Sequence, residues 1–347
     1  MGTFNQDLIK NQEEFFGPLY DYIIDDEITD VDWNGRELWL TYANNKREKV
    51  QKEGITPEFV ESFSFRVANV VSENFNQTNV ILEAETDKLR ISFLHNSVTT
   101  TGTCFCIRKS LPSLRYTEAD LVKSGYMSTQ ILHLLINAVK ARMNIVICGE
   151  TNTGKTELCK FLSQYIPDEQ KVITIEDNPE LHYAEINPSH DCISIKVGQY
   201  LTYSDAIKAS LRQNPRWILL SEARSTEATY LLQSLSTGEN AITTIHCDDL
   251  YQMTKRFADM VEDNSGRTES KVYGYLDLGI LIKKRVNADG KIYRYIDQLA
   301  FLYRDRETKK EKMFFVIEDG ILQNTDLPKA ILNKYKEAEI QEPFASH

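Results

Sequence analysis

The sequence predicts an α/β protein: a domain built on a mainly parallel sheet, preceded by a smaller α+β domain. Three observations predict it. From about residue 144 onward, short apolar runs alternate with helical patterns, as strands buried on both faces require. A glycine-rich loop stands between the first of those runs and a helix. Before residue 110 the pattern is different, with short helices, hairpin signals and alternating strands. At 347 residues, two domains is the natural expectation. We place them at 1–110 and 121–347, with a linker over 111–120.

Taken in order, Phe15 to Ile24 reads as an amphipathic helix ending in Asp25-Asp26-Glu27. Ile28–Trp33 and Glu37–Tyr42 read as a hairpin, because Asn34-Gly35 suits a two-residue type I′ turn. Glu58 to Asn74 is a second helix, followed by strands at Lys88–Phe93 and Thr103–Ile107. The segment from Lys109 to Thr117 carries Pro112 and no periodicity, which marks the linker. Thr117-Glu118-Ala119-Asp120 then opens a helix. The strands Asn144–Cys148, Val172–Glu176, Trp217–Ser221 and Ala241–Ile245 alternate with helices at Lys155–Tyr165, Tyr203–Arg212 and Thr226–Leu235. Late strands at Leu278–Ile282, Lys291–Phe301 and Met313–Ile317 read as an antiparallel extension, closed by a helix near Pro328–Ala338.

Composition narrows the function. The formal net charge is −11, from 51 acidic and 40 basic residues, which disfavours direct nucleic-acid binding. Lys283-Lys284-Arg285 and Lys309-Lys310 with Lys312 are local basic patches, read as solvated strand ends or turns. The six cysteines show neither a disulfide framework nor zinc-site spacing, and fit a reducing cytosol. No apolar stretch approaches the roughly 20 residues that span a bilayer. The N-terminus shows no signal peptide, and Gln6 stands where myristoylation wants Ser or Thr. A soluble cytoplasmic protein is expected.

The sharpest motif is Gly149-Glu150-Thr151-Asn152-Thr153-Gly154-Lys155-Thr156, a complete G-x-x-x-x-G-K-[ST] phosphate loop between a strand and a helix. Glycines let the backbone curl so that N–H groups and the helix dipole face phosphates. Lys155 is placed to reach the β- and γ-phosphates, and the Thr156 hydroxyl to ligate Mg²⁺. Glu157, in the first turn of the helix that follows, is counted with the loop as nucleotide-binding. Such a loop needs a carboxylate at the end of a neighbouring strand. Glu222 closes Trp217–Ser221, and Glu176 closes Ile173-Thr174-Ile175 on another strand; either suits activation of water, and Glu222 also the Mg²⁺ shell.

Four segments occur in order: the phosphate loop, Ile173–Leu181, Trp217–Arg224 and Thr237–Asp249. They resemble the Walker A, Asp-box, Walker B and His-box of the type II/type IV secretion ATPase superfamily, in the branch of VirB11-like conjugation and Tad-pilus ATPases. The resemblance is specific from about Ile145 to Phe257 and looser in the first hundred residues. It implies a RecA-like P-loop NTPase domain using ATP and Mg²⁺. It assigns Glu176 to the Asp-box, Glu222 to the Walker B acid and His246 to the histidine that senses the γ-phosphate. Arg212 and Arg224 match basic positions near the nucleotide or a subunit interface, where an Arg fork suits phosphoryl charge. Arg90 and Arg108 are the candidates by which the N-terminal domain clamps nucleotide, with surface ion pairing as the alternative. The departures are Glu239 in place of His, Ser221 in place of Gly, Ala223, and the pair Arg216-Trp217.

The resemblance implies a homo-oligomeric, hexameric ring at the inner face of the cell membrane. There it would power secretion, conjugative transfer or pilus assembly through an inner-membrane platform or coupling protein. The residues leave two other classes open. A DNA-translocating ATPase would show a basic groove with interleaved aromatics. A non-hydrolysing scaffold would bind nucleotide without turnover.

Overall fold

A computed structural model of the chain describes residues 2–3, 11–44, 46–225, 227–261, 268–287, 292–305 and 307–346. It divides into two compact units, one running to Leu111 together with Ile292, the other from Pro112 onward.

The first unit is a seven-stranded sheet: β1 (Gly2–Thr3), β2 (Ile28–Trp33), β3 (Leu38–Tyr42), β4 (Arg47–Val50), β5 (Ile81–Glu85), β6 (Leu89–Leu94) and β7 (Cys104–Lys109). Their order is β1-β5-β6-β7-β2-β3-β4, and only the β1/β5 pairing is parallel. Its helices are α1 (Gln12–Phe16), α2 (Tyr20–Ile24) and α3 (Pro57–Val70). Phe63 of α3 centres the core, with the rings of Phe15, Phe16, Phe59, Phe93 and Phe105 all within 6.1 Å of it. Thr56 caps α3, and Pro57 fits its first position, where no N–H is needed.

Three expectations for this unit are corrected. The single helix over Phe15–Ile24 is broken into α1, a 3-10 turn at Gly17–Leu19 and α2, because Gly17 takes a φ of +54° and Pro18 follows. The hairpin loop has four residues, Asn34–Glu37, since Trp33 pairs with Leu38. There the Asn34 side chain accepts from the N–H groups of Arg36 and Glu37, at 3.0 and 2.8 Å. The α3 helix stops at Val70, short of Asn74, and Ser72 turns left-handed just beyond it. Strands β1, β4 and β5 come in addition to the expected ones. The sequence of β4, Arg-Glu-Lys-Val, lies on a sheet edge and carries no apolar pattern.

The second unit carries a nine-stranded sheet: β8 (Ile145–Cys148), β9 (Val172–Glu176), β10 (Cys192–Lys196), β11 (Trp217–Leu220), β12 (Asn240–Ile245), β13 (Leu278–Val286), β14 (Ile292–Arg304), β15 (Glu311–Glu318) and β16 (Ile321–Leu322). The order is β10-β9-β11-β12-β8-β13-β14-β15-β16. Six of these run parallel in a row, from β10 to β13. The β14/β15/β16 pairings are antiparallel. The sequence puts Leu278–Ile282 in that antiparallel part, and here the structure differs. This strand pairs parallel to β8, because the chain returns through α10 (Leu250–Met260) and α11 (Thr268–Tyr275) before re-entering the sheet.

Every residue of β8, β9, β11 and β12 is buried, and alternate side chains feed the two faces. Ile145, Ile147, Trp217 and Leu219 enter one core with α5 (Thr129–Lys140), α6 (Lys155–Ser163) and α12 (Lys329–Glu337). Val146, Cys148, Ile218 and Leu220 enter the other, with α8 (Tyr203–Ser210), α9 (Glu227–Thr237) and α10. The helix at Thr117 is α4 (Glu118–Lys123), with a reciprocal capping box between Thr117 and Asp120. The short α7 (Tyr183–Ile186) follows β9. Among the described residues no helix is long and apolar enough to cross a membrane.

Candidate functional site

The carboxyl end of β8 is where the sheet's connections diverge, since β9 lies three places to one side and β13 lies next to β8 on the other. Such a point opens a crevice at the strand ends. The loop Gly149–Thr156 fills that position and leads into α6. Gly149 takes a φ of +151°, and a Cβ there would stand 2.6 Å from Thr153 Oγ1 and 2.7 Å from the Ile282 carbonyl. Asn152 and Gly154 are also left-handed, at +62° and +93°. The buried Thr153 hydroxyl donates to the Glu150 carbonyl at 2.9 Å, tying the curl, and Lys284 donates to the Thr151 carbonyl at 3.2 Å. Gly154 caps α6 without any side-chain bond, so the helix begins with N–H groups that have no acceptor within it. Thr156 lies half-buried at the second position of α6, and Glu157 beside it pairs with Lys160 at 3.3 Å.

Lys155 is buried, and its ammonium donates to the carbonyls of Gly149 and Glu150 at 2.9 and 3.0 Å. It also meets His246 Nδ1 at 3.3 Å. Burial lowers its pKa, against the pull of Glu222. An ammonium has only donors, so Nδ1 of His246 is the acceptor and the ring proton sits on Nε2. That nitrogen faces Glu222 Oε1 at 3.2 Å. Burial first, then the neighbouring Lys155 charge, lower the His246 pKa, against the pull of Glu222 and of a backbone bond to Gly149. The other Glu222 oxygen accepts from Arg224 Nη2 at 2.8 Å, and Arg224 Nη1 reaches Asp177 at 3.1 Å. The Glu222 bond first, then Glu222 and Asp177 charge, raise the Arg224 pKa against burial. A chain of side chains therefore runs Lys155–His246–Glu222–Arg224–Asp177 across the ends of β8, β12, β11 and β9.

Glu176 is placed differently. It is buried, and its carboxylate accepts from the N–H groups of Glu180 and Leu181 at 3.1 and 3.0 Å. Burial outweighs those bonds and pushes its pKa up to about 8. It braces the loop after β9. Arg212 is exposed on the 3-10 turn Leu211–Gln213, and among the described residues none of the network's bonds reaches it. In the first unit, Arg108 forms an ion pair with Asp30 at 3.1 Å, and Arg90 is its exposed cross-strand neighbour.

Sequence reasoning misses several participants. Asp177 falls inside a motif segment without a role of its own, and Lys284 reads as a solvated strand end. The parallel β8/β13 pairing is what brings Lys284 to the loop. Tyr203, whose hydroxyl accepts from the Asp177 N–H at 3.0 Å and lies 3.3 Å from Ser221 Oγ, carries no sequence signal. Glu239 is bonded to Thr237 at 2.6 Å.

The residues present fit a nucleotide with its cation. The Gly149 curl leaves no room for a side chain, and the uncapped start of α6 is an anion site. A hydroxyl and a carboxylate, Thr156 and Glu222, are hard oxygen donors of the kind Mg²⁺ takes, beside phosphate and water. Among the described residues, no group of three or more His, Cys, Asp or Glu is placed to hold a metal by itself.

The sheet order, the loop and the smaller preceding unit define a RecA-like α/β fold with an N-terminal domain. The profile of the type II/IV secretion system proteins matches residues 75–286, and the chain belongs to that family. An uncharacterized Bacillus anthracis protein is 31% identical over 268 residues, covering 75% of this chain and 60% of its own length. The type IV secretion system protein VirB11 of Bartonella henselae is 33% identical over 163 residues, 45% of this chain and 44% of that protein. The chain thus spans between 44% and 60% of these two curated relatives. Among solved structures, the pilus retraction motor PilT with bound ADP shares the fold. Its TM-score is 0.59 at 17% identity, over 93% of this chain and 86% of that one.

Proposed function

We propose that the chain is an ATP-hydrolysing subunit of a ring-shaped motor, hexameric as the sequence resemblance implies, serving secretion, conjugation or pilus assembly. The observation that carries this reading is the continuous chain from Lys155 through His246 to Glu222, placed beside a phosphate loop. In this proposal the N–H groups at the start of α6 and Lys155 hold the phosphates of ATP. Thr156 and Glu222 would hold Mg²⁺, which when bound offsets charge on the β- and γ-phosphates. Of the two acids, Glu222 is the one to orient and deprotonate water. Glu176 is committed to two backbone N–H groups, whereas Glu222 is held only by exchangeable side chains. When the γ-phosphate draws Lys155 forward, His246 loses its partner at Nδ1 and becomes free to report that movement to Glu222. Arg224 holds Glu222 and Asp177 together, so its release would free the acid. Arg90, Arg108 and Arg212 are proposed to act on nucleotide from their own or a neighbouring subunit. The motor would act at the inner membrane face through a platform or coupling protein.

The test is Mg²⁺-dependent ATP hydrolysis measured against protein concentration for wild type and Lys155→Ala. Specific activity that rises with concentration and vanishes in the variant supports an oligomeric ATPase. ATP binding without turnover at any concentration sinks hydrolysis as a property of this chain.

A further inference from the structure

Two free thiols meet at the carboxyl end of the parallel sheet. Cys148 ends β8 and stands directly before Gly149 of the phosphate loop, and Cys247 directly follows His246. Strands β8 and β12 put Cys148 opposite Ile245, two positions before Cys247, and all three side chains enter the same core. There the side chains of Cys148 and Cys247 hydrogen-bond to each other. The Cys247 S–H donates to the Asp249 carbonyl at 2.9 Å, which leaves its sulfur to accept from Cys148. Cys148 has no exposed surface, whereas Cys247 keeps 6% of its own.

The two thiols differ in acidity. The bond from Cys148 first, then a backbone bond at Asp249 and the Arg256 charge, lower the Cys247 pKa to about 7, against burial and Asp248. About half of it is then thiolate at pH 7, against a few per cent of an ordinary thiol. Burial first, then the bond to Cys247, hold the Cys148 thiol well above the usual range. Burial also raises Cys106, Cys159 and Cys192. A nucleophilic sulfur beside a protonated one is the arrangement of an oxidisable pair.

We propose that Cys247 is a site of oxidation by hydroperoxides, and that Cys148 resolves it to a disulfide across the ends of β8 and β12. The Cys247 sulfur bonds to one peroxide oxygen as the O–O bond breaks, and the departing hydroxide takes up the proton the thiol had released, leaving water. The Cys148 sulfur then attacks the sulfenic sulfur, the S–O bond breaks, and hydroxide leaves with the Cys148 proton as a second water. Two thiols lose two electrons, and hydrogen peroxide gains them. The new bond ties the root of the phosphate loop to the neighbour of His246, fixing the two segments that Lys155 joins at 3.3 Å. Only this effect on turnover rests on the phosphate-loop reading above; the oxidation does not.

The experiment treats the full, reduced chain with hydrogen peroxide at pH 7, alkylates the remaining thiols and maps the cysteine peptides by mass. Wild type is expected to give a Cys148–Cys247 peptide pair that dithiothreitol separates. In Cys148→Ala the oxidised Cys247 has no partner and is captured by dimedone as a sulfenic acid. In Cys247→Ala neither product forms. Wild-type ATP turnover falls in step with the crosslinked fraction and returns with dithiothreitol, while that of Cys247→Ala is unmoved by peroxide. No crosslink in wild type, or one between other cysteines, overturns the site, and this map depends on no variant folding. Full turnover in the crosslinked chain overturns its coupling to the phosphate loop. A reversible crosslink in a chain that hydrolyses no ATP when reduced supports the oxidation site and sinks the motor reading instead.

Discussion

The two ends of the parallel sheet in the second unit are built from the same strands but from different chemistry. At the amino end, the side chain and backbone of Asn144 tie β8 to its neighbours. Its N–H donates to Asp277 at 3.0 Å, its amide to the Tyr275 carbonyl at 2.6 Å, and its side-chain carbonyl accepts from Ala241 N–H at 3.0 Å. Trp217 Nε1 donates to Gln170 at 2.9 Å, and Asn240 donates to the Arg142 carbonyl at 2.6 Å. Most of these partners are uncharged amides or backbone, fixed by the fold. At the carboxyl end the partners are Lys155, His246, Glu222, Arg224 and Asp177, every one ionisable and bonded to another side chain. The difference teaches where a site can stand. Amide-to-backbone bonds define a strand's register, while charged side-chain pairs can exchange partners with an incoming anion at no cost to the sheet.

That contrast breaks most readily at Glu222. Glu222→Gln keeps the shape and one acceptor for Arg224 but removes the carboxylate proposed as the base. ATP turnover should fall about 10²- to 10³-fold, the worth of a general base. The unfolding temperature should barely move, measured by calorimetry on the same preparation. A large loss of stability would mean that the carboxyl end is structural too. The converse is Asp277→Ala. It removes the acceptor of the Asn144 N–H and the partner of Lys334, and should cost about 1–3 kcal/mol in denaturant unfolding. Turnover per folded molecule should stay at the wild-type value.

Glu176 sits between the two cases, an ionisable group used to brace a loop. Its folded pKa of about 8 stands above the ordinary value of 4.5, so between these limits the native chain keeps a proton that the unfolded chain has lost. Stability contributed by this group is therefore full below about pH 4.5 and lost as the pH climbs to 8. The slope from this one residue is at most about 1.4 kcal/mol per pH unit. Glu176→Gln should flatten the decline of unfolding free energy across that window. An unchanged slope would show that Glu176 is ionised in the folded chain.

Much of the carboxyl end is legible in the order of residues alone. Glu222 and His246 each stand just past a short buried strand, Lys155 follows a third across the phosphate loop, and neighbouring parallel strands put their ends side by side. What stays hidden depends on pairings between distant loops. The family resemblance puts Arg224 near the nucleotide or a subunit interface; its bridge from Glu222 to Asp177, a residue 47 positions away in the chain, leaves no trace in the motif. Lys284 reads as a strand-end charge as long as β13 is taken for part of the antiparallel extension. The orientation of Glu176 follows from the loop geometry at Glu180 and Leu181, which leaves no periodic trace. Gly17-Pro18 is the opposite case: the helix breaker is visible, but the flanking apolar residues mask it.

The smallest effect, and the finest test of the comparison, belongs to Tyr203. Its hydroxyl accepts from the Asp177 N–H and lies near Ser221, so it links the loops after β9 and β11 beneath the Arg224 bridge. Tyr203→Phe keeps the ring packed and removes only that link. With the Asp177 N–H left near the crevice, where water reaches it, the loss should be about 1 kcal/mol or less. Turnover should drop by about twofold to threefold, through a less firmly held Arg224 and not through a missing reactive group. A stability loss matching that of Asp277→Ala would place Tyr203 with the fixed register bonds of the amino end, and the contrast between the two ends would no longer hold at this position.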